Sequence, residues 1–104
     1  MEGKEQIDFD AIRKQADLYY DGDEYGKALV LYLKLADQND AEVLRRIGYC
    51  CYSQNDYKKA VEWWLKAANL GNARAQRNMG NCYSIGKGVE QDYKKAVEWY
   101  TKAA

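Results

Sequence analysis

The chain of 104 residues contains one segment twice. Asp56–Ala68 is repeated as Asp92–Ala104, and the two copies differ only at their ninth and tenth residues. The copies begin 36 residues apart (92 − 56), and close similarity at a period of roughly 20–50 residues is typical of stacked repeat proteins. Each unit of such a protein buries its apolar face only against its neighbours and presents an extended surface. The duplication therefore predicts a repeat architecture and favours binding over catalysis.

A weaker copy of this segment lies at Glu24–Ala36, and a different block precedes each of the three copies. Ala41–Cys50 matches Ala73–Cys82 in its alanine, arginine, glycine and cysteine, and Phe9–Leu18 occupies the same place in the first unit. Only the third unit has extra residues between its two blocks. The chain is therefore predicted to be one repeat domain, residues 1–104, with three units at about 8–38, 39–70 and 71–104.

The spacing of apolar residues predicts two helices in each unit. In the middle unit, Leu44, Ile47, Gly48 and Cys51 follow the i, i+3, i+4, i+7 spacing of one helical face. The second block has a similar face, with lysines and a glutamate opposite it, and the face consists of Ala60, Trp64, Ala67 and Ala68. The pattern predicts an all-α fold, an α-solenoid of three antiparallel helix hairpins.

Small residues indicate where the helices approach closely. Gly48 and Gly80 lie inside predicted helices, where glycine costs about 1 kcal/mol relative to alanine. We therefore expect a partner helix to pack on each of them through an alanine: Ala28, Ala60 or Ala96. Five aromatic residues are expected to fill the gaps between units, namely Tyr25, Tyr57, Trp64, Tyr93 and Trp99.

The predicted turns carry capping residues. Asn55 or Asp56 is expected to cap the second helix of the middle unit, and Asn72 is expected to cap the helix that follows. Gly22 and Gly71 come directly after predicted helix ends, where a left-handed residue is favoured.

Composition argues against several classes of function. Sixteen acidic residues balance sixteen basic ones, so no net charge directs the chain to nucleic acid or to an acidic membrane. No apolar run reaches the roughly 18 residues of a transmembrane helix, and residues 1–6 lack the apolar core of a secretory signal. Histidine is absent, and no nucleophile–base arrangement is present. The sequence therefore predicts no enzyme, no cofactor and no zinc site.

Cysteine usage favours a reducing compartment. Cys50, Cys51 and Cys82 are odd in number, which without a signal sequence predicts reduced thiols and a cytoplasmic location. Cys50 and Cys82 occupy equivalent positions in neighbouring units. Such positions on packed helices lie about 8–10 Å apart, which is too far for a relaxed disulfide. Both are expected to be small buried apolar residues, and a disulfide or metal pair is the alternative.

The third unit carries a pattern of glycine, alanine and aromatic residues at Ala75, Met79–Gly80, Tyr83, Gly86–Val89, Asp92–Tyr93, Lys95–Ala96, Trp99–Tyr100 and Lys102–Ala104. This pattern resembles a Sel-one-like repeat, a branch of the tetratricopeptide superfamily. Residues 39–70 lack the Gly-x-Gly-Val turn and are similar to a plain tetratricopeptide unit, whereas residues 8–38 match weakly. The resemblance implies a right-handed superhelix whose concave face is lined by the first helix of each unit, and a scaffold or adaptor role.

The polar face of the first helices is the candidate binding surface. Arg13, Arg45 and Arg77 recur every 32 residues and are expected to form a row along the concave face. Arginine pairs with carboxylates through two parallel hydrogen bonds, and tyrosine adds contact area at low entropy cost. We predict that a protein or peptide with an acidic segment or a C-terminal carboxylate binds a site formed by Arg13, Arg45, Arg46, Tyr49, Tyr52, Arg74, Arg77 and Asn81.

Two other interpretations stay open. The polar face can be a solvated surface whose arginines pair with acids of neighbouring helices, and such surface pairs contribute only about 0–1 kcal/mol. Self-association is the second, because terminal repeats usually need a polar cap and the helix predicted to end at Ala104 has none. The chain is then either a fragment of a longer array or a homodimer through this end, with Trp63, Trp99 and Tyr100 at the contact.

Overall fold

The structure is a computed structural model that describes residues 7–104. The prediction that no secretory signal is present concerns residues 1–6, which lie outside the described residues. Within residues 7–104, the regular structure consists of six α-helices and one short 3₁₀ helix, without a strand. This result confirms the predicted all-α class.

The six helices form three hairpins that stack in chain order. Each helix packs mainly on the helices before and after it in sequence, and the molecule is elongated, with dimensions of 58 × 24 × 19 Å. Both features are those of a solenoid. The helices are α1 (Phe9–Asp21), α2 (Tyr25–Leu33), α3 (Ala41–Ser53), α4 (Tyr57–Asn69), α5 (Ala73–Ile85) and α6 (Tyr93–Ala103), with the 3₁₀ helix at Ala36–Gln38.

Side-chain caps start five of these helices. Asp8, Asp40, Asp56, Asn72 and Asp92 each accept a hydrogen bond from a backbone N–H group in the first turn of the helix that follows. Such caps contribute about 1 kcal/mol each. The predicted cap at Asn72 is confirmed, and of the two candidates for α4 the structure selects Asp56.

The turns after the helices use left-handed residues, one of them not at the predicted position. Gly71 has a φ of +93°, as predicted. The prediction for Gly22 is wrong, because its φ is −88° and its N–H group still bonds to the Leu18 carbonyl oxygen at 3.0 Å. Gly22 thus continues the helical turn, and Asp23 takes the left-handed conformation with a φ of 62°. Asn55 has the same role after α3, with a φ of 66°, which its short polar side chain tolerates.

The core runs between the helices of all three units. Both apolar stripes predicted for the middle unit are buried, and the lysines and glutamate predicted opposite the α4 stripe are exposed. The three cysteines are buried and form no disulfide. Burial raises the pKa of the Cys50 thiol to about 12 and that of the Cys82 thiol to about 11, so both stay protonated at neutral pH.

Aromatic rings, rather than alanines, pack on the glycines inside the helices. A Cβ atom built on Gly48 would lie 2.5 Å from Cδ1 of Trp64, and one built on Gly80 would lie 2.6 Å from Cε1 of Tyr100. The prediction of alanine partners is therefore wrong. In the second and third hairpins, the second helix places a large ring against the backbone of the first helix, and only glycine leaves room for that ring.

Tyr93 differs from the other aromatic residues expected to fill gaps between units, because it is 66% exposed. Its counterpart in the middle unit, Tyr57, packs against Tyr52, with 5.0 Å between the ring centroids. The third unit has Ser84 where the middle unit has Tyr52. Tyr93 therefore lacks the ring that covers its counterpart, and the prediction that it fills a gap is wrong.

Candidate partner-binding surface

A cavity of about 170 Å³ opens between α3 and α5, the first helices of the second and third units. Large rings project from α3 and small polar side chains from α5, so the two helices do not fill the space between them. The floor is the indole of Trp64, and the remaining lining consists of Tyr49, Tyr52, Asn78, Asn81, Cys82 and Ile85. Apolar walls beside amide groups can accept an apolar side chain and hydrogen-bond the backbone that carries it.

A row of tyrosine rings leads into this cavity. The centroid of Tyr49 lies 5.9 Å from that of Tyr20, 5.3 Å from that of Tyr25 and 6.4 Å from that of Tyr52. The Lys87 ammonium lies 5.2 Å from the centroid of Tyr52 and donates to its hydroxyl at 3.3 Å. Rings held by neighbours are already ordered, so they lose little entropy when a partner binds.

Arg45 does not lie on the exposed face where the sequence placed it. Its side chain is only 9% exposed. Its Nε donates to Glu42 Oε1 at 3.0 Å, and its Nη2 donates to Glu42 Oε2 at 2.6 Å. These hydrogen bonds are the largest cause that lowers the pKa of Glu42 to about 2. The expectation of an exposed Arg45 is wrong, because a carboxylate one turn earlier satisfies the guanidinium within the fold.

Arg46 connects α3 to the first unit. Its Nη1 donates to Asp17 Oδ1 at 3.1 Å and to the Tyr32 hydroxyl at 3.1 Å, and its Nε donates to Glu42 Oε2 at 3.2 Å. The guanidinium also lies 4.6 Å from the centroid of the Tyr20 ring. These contacts occupy Arg46, so its main role in this structure is to hold the first two units together.

Arg13 is also paired. Its Nη1 lies 2.6 Å from Oδ2 of Asp40, the residue that caps α3. The pair bridges the first two units and is partly exposed. Arg13 and Arg45, two of the three arginines in the predicted row, are thus engaged by carboxylates. Arg13 pairs with the residue that caps another helix, as the alternative interpretation expected, whereas Arg45 pairs within its own helix.

Arg74 and Arg77 are the arginines of the predicted site that remain available. Both residues are exposed, and among residues 7–104 no carboxylate oxygen lies within 4.0 Å of either guanidinium. Asn81 follows Arg77 by one helical turn, and its Oδ1 accepts a hydrogen bond from the hydroxyl of Tyr100. The helix α5 therefore carries two exposed positive charges, although neither arginine lines the cavity itself.

Sequence reasoning left several residues of this surface out of the predicted site, including Asn78 and Cys82 of the cavity lining. Trp64 was assigned to the core, where most of it lies, but its ring also lines the cavity. Ile85 is 58% exposed and follows Asn81 by four residues, a helical spacing that could have revealed it. Lys87 lies in the extra residues of the third unit, whose path the repeat pattern does not determine.

The described part of the chain offers charge, amide and aromatic groups rather than metal chemistry. Residues 7–104 contain no group of three or more histidine, cysteine, aspartate and glutamate side chains that could hold a metal ion. None of the helices in the same span is long and apolar enough to cross a membrane.

The fold and this surface define a helical repeat protein of the tetratricopeptide-like class. The family model described as Sel1 repeat matches residues 11–40 and 73–104, and a tetratricopeptide repeat model matches residues 41–72. The chain belongs to the Sel1 repeat family, and the tetratricopeptide character predicted for the middle unit is confirmed. Repeats of both kinds generally mediate protein–protein interaction and are typically non-enzymatic.

Two solved structures illustrate the similarity. A Sel1 repeat protein from Oxalobacter formigenes is 30% identical, with a TM-score of 0.77 over 88% of this chain and 39% of that one. The protein c5321, a protective antigen present in uropathogenic Escherichia coli strains and displaying an SLR fold, is 38% identical, with a TM-score of 0.81 over 92% of this chain and 22% of that one. The present chain thus spans less than half of either protein. No curated protein matches it.

Proposed function

We propose that this chain is a protein-interaction module that binds an extended segment of a partner protein across α3 and α5. The observation that carries the proposal is the cavity between these helices, which has aromatic walls and is accompanied on α5 by two exposed arginines without a carboxylate partner among residues 7–104. The position of this surface on the first helices agrees with the concave face that the family resemblance implies.

The aromatic part of the surface supports an apolar anchor in the ligand. Tyr49 is 37% exposed and Ile85 is 58% exposed, and the cavity between them is open to solvent while Trp64 closes its floor. A partner side chain that enters this space loses contact with water on several sides. Buried anchors of this kind usually dominate the energy of a peptide interface.

The charged part of the surface supports an acidic ligand. Arg74 and Arg77 keep their full hydrogen-bonding capacity, because they form no ion pair with residues 7–104. A guanidinium binds a carboxylate through two parallel hydrogen bonds. We therefore infer that the ligand has acidic residues, or its own C-terminal carboxylate, next to the anchor.

The other arginines of the predicted site have an indirect role in this proposal. Arg13 and Arg46 hold the first two units together through Asp40 and Asp17, and Arg45 is bound by Glu42 of its own helix. They position α3 and its tyrosines rather than contact the ligand. This assignment differs from the predicted row of arginines, in which all members contact the partner directly.

We also infer that the module has no catalytic activity or cofactor of its own and acts in a reducing compartment such as the cytoplasm. The absence of histidine from the sequence supports the first inference. The three buried thiols without disulfides support the second. The balanced charge of the sequence supports a protein partner over nucleic acid or a membrane.

A peptide array with affinity measurements tests the proposed ligand class. The array holds acidic peptides and their neutral counterparts, with an aromatic or aliphatic anchor at each position, and each peptide is made with a free and with an amidated C-terminus. Replacing both Arg74 and Arg77 with alanine is expected to weaken the best peptides at least about tenfold, because each lost charge-assisted contact contributes about 1 kcal/mol or more. Isothermal titration gives the affinities.

The matched control replaces Lys58 and Lys94 with alanine. This variant loses the same positive charge from exposed positions of α4 and α6, the second helices of their units. It is expected to bind the peptides with unchanged affinity. The proposal is wrong if both double variants bind equally well, or if neutral peptides bind as tightly as acidic ones.

A further inference from the structure

We propose that α6 of one copy of this chain receives α1 of a second copy, so that copies associate head to tail in the way that units associate within the chain. This inference uses Arg77, which the proposed function assigns to the ligand, so a second copy and an acidic peptide compete for that guanidinium. It rests on two exposed faces, one at each end of the molecule, whose counterparts pack against each other inside it.

The first face lies on α6. Tyr93, Val97 and Tyr100 follow the i, i+4, i+7 spacing of one helical face and are 66%, 62% and 38% exposed. They form an apolar stripe. The counterpart of this stripe in the middle unit is covered, but among residues 7–104 nothing covers this one in the same way. Trp63, which the sequence also predicted at a contact between copies, belongs to α4 and is not part of this stripe.

The corresponding stripe of α4 shows what such a face accepts. Val61 and Trp64 are the counterparts of Val97 and Tyr100 and are only 8% and 4% exposed. The third unit packs on this side of α4: α5 contacts α4, Gln76 of α5 donates to the Ala68 carbonyl oxygen at 3.1 Å, and a Cβ atom built on Gly88 would lie 2.8 Å from Cγ2 of Val61. Trp64 is also covered from within its own hairpin, by Gly48. The two stripes come from the repeated segment, so we expect α6 to accept a helix that resembles α5.

The second face lies on α1. The stripe of α5 that packs on the preceding unit contains Ala75, Met79 and Cys82, which are 0%, 1% and 3% exposed. The equivalent stripe of α3 is Val43, Ile47 and Cys50, each at most 1% exposed. The equivalent stripe of α1 is exposed and consists of Ala11, Gln15 and Leu18, of which Leu18 is 66% exposed.

One ion pair within the chain has a counterpart across this junction. Arg13 pairs with Asp40 at 2.6 Å, linking an arginine of one unit to the residue that caps the next unit. Arg77 is the equivalent arginine of the third unit and forms no ion pair with residues 7–104. Asp8 caps α1 through one carboxylate oxygen and is exposed, so Asp8 of a second copy can occupy the place that Asp40 has beside Arg13.

A second polar contact follows the same equivalence. Arg46 of α3 donates to the Tyr32 hydroxyl of the preceding unit at 3.1 Å. Tyr100 is the counterpart of Tyr32, and its hydroxyl likewise bonds to the first helix of its own unit, at Asn81. Lys14 is the counterpart of Arg46 and is exposed. In the proposed junction, the ammonium of Lys14 of a second copy therefore donates to the Tyr100 hydroxyl. This contact corresponds to the one that the Arg46 guanidinium makes with Tyr32 inside the chain.

This junction is heterologous, because the face on one copy differs from the face on the other. Heterologous contacts that do not close into a ring continue indefinitely, so the mass of the assembly is expected to rise steadily with concentration. Gln15 stands where the internal junctions have Ile47 and Met79, which makes the junction between copies less apolar. The association is therefore expected to be weaker than the internal packing and reversible.

Sedimentation velocity of the purified chain up to millimolar concentration tests the proposal with two blocked variants. Val97→Arg blocks the α6 face and Leu18→Arg blocks the α1 face, and both residues are exposed enough to leave the fold intact. Each variant alone is expected to be monomeric. Their equimolar mixture is expected to form dimers and nothing larger, because one copy keeps a working α6 face and the other keeps a working α1 face.

Two further variants serve as controls. Leu65→Arg changes a 39% exposed residue of α4 outside both faces and is expected to associate like the unchanged chain. Asp8→Asn keeps the helix cap but removes the charge opposite Arg77, and it is expected to raise the dissociation constant about threefold to tenfold.

Three outcomes would overturn the proposal. If the chain stays strictly monomeric at millimolar concentration, copies do not associate, and the α6 face would instead bind a helix of a different protein. Loss of association in Val97→Arg but not in Leu18→Arg would indicate a symmetric α6–α6 dimer. A mixture of the two blocked variants that stays monomeric would show that the faces do not bind each other.

Discussion

Single residues determine how closely the two helices of a hairpin approach. Gly48 leaves room for the ring of Trp64, which then donates its Nε1–H to the Arg45 carbonyl oxygen at 3.0 Å. That carbonyl and the glycine both belong to α3, so the ring is held from two points of one helix. The same ring lines the cavity beside Tyr52, which links the packing of one glycine to the shape of the candidate site.

Gly48→Ala is expected to lower the free energy of unfolding by about 1–3 kcal/mol, although alanine is favoured over glycine in a helix by about 1 kcal/mol. The added Cβ would lie 2.5 Å from the Trp64 ring and would force it to move. Denaturant unfolding followed by circular dichroism measures the change. The matched control is Gly26→Ala in α2, where the Cβ would meet only the flexible end of Gln54 at 3.3 Å. Equal losses in both variants would contradict the packing explanation.

The buried thiols give a second prediction at the scale of residues. Cys50, Cys51 and Cys82 are each at most 5% exposed, and burial raises the pKa of all three thiols. Because only the thiolate reacts readily, none is expected to react with a disulfide reagent in the folded protein, and all three are expected to react in denaturant. Rapid reaction of any one of them under native conditions would show that its helix opens or is packed differently.

At the scale of elements, Glu42 of α3 links the second unit to the third. Glu42 accepts hydrogen bonds from Arg45 and Arg46 of its own helix. Its Oε1 also accepts a hydrogen bond, at 3.4 Å, from Nδ2 of Asn72, the residue that caps α5. One carboxylate thus contacts side chains of two units. Its loss is expected to loosen the positions of α3 and α5, between which the cavity lies.

Stability is expected to fall in acid because of Glu42. Hydrogen bonds from Arg45 hold its folded pKa at about 2, below the ordinary 4.5. The stabilisation is therefore complete above pH 4.5 and is lost as the pH falls through about 2. After allowance for solvent screening of this partly exposed pair, it amounts to about 1–2 kcal/mol. Unfolding experiments from pH 7 to pH 2 should show this loss in the unchanged chain and a smaller loss in Glu42→Gln. Identical pH profiles would contradict the assignment.

The helices were predictable from sequence because their determinants are local. The spacing of Leu44, Ile47 and Cys51 identifies a buried face without reference to the rest of the chain, and Asn72 is a cap by its residue type and position. The pairs of Arg45 and Arg46 with Glu42 lie at the local i, i+3 and i, i+4 spacings of one helix. The contacts of Arg46 with Asp17 and Tyr32 were not predictable, because they depend on which side chains the folded helices bring within reach. The cavity was not predictable either, since it arises from the difference between the rings of α3 and the amides of α5.

At the scale of the whole molecule, repetition explains both the binding surface and the exposed ends. Three similar hairpins form a rod 58 Å long, in which each internal junction buries one face of a second helix and one face of a first helix. The units are alike in their core but differ on the side of the first helices. The core residues therefore define the fold, and the residues that differ between units, such as Tyr49 and Asn81, define what the surface can bind.

The most direct test of the proposed function is an NMR titration of the labelled chain with the tightest acidic peptide from the array. We expect the largest shift changes at the backbone of Tyr49, at the side-chain amide of Asn78 and at the guanidinium of Arg77, with small changes on α2 and on the exposed faces of α4 and α6. Changes confined to those second helices, or no change at saturating peptide, would contradict a binding surface between α3 and α5.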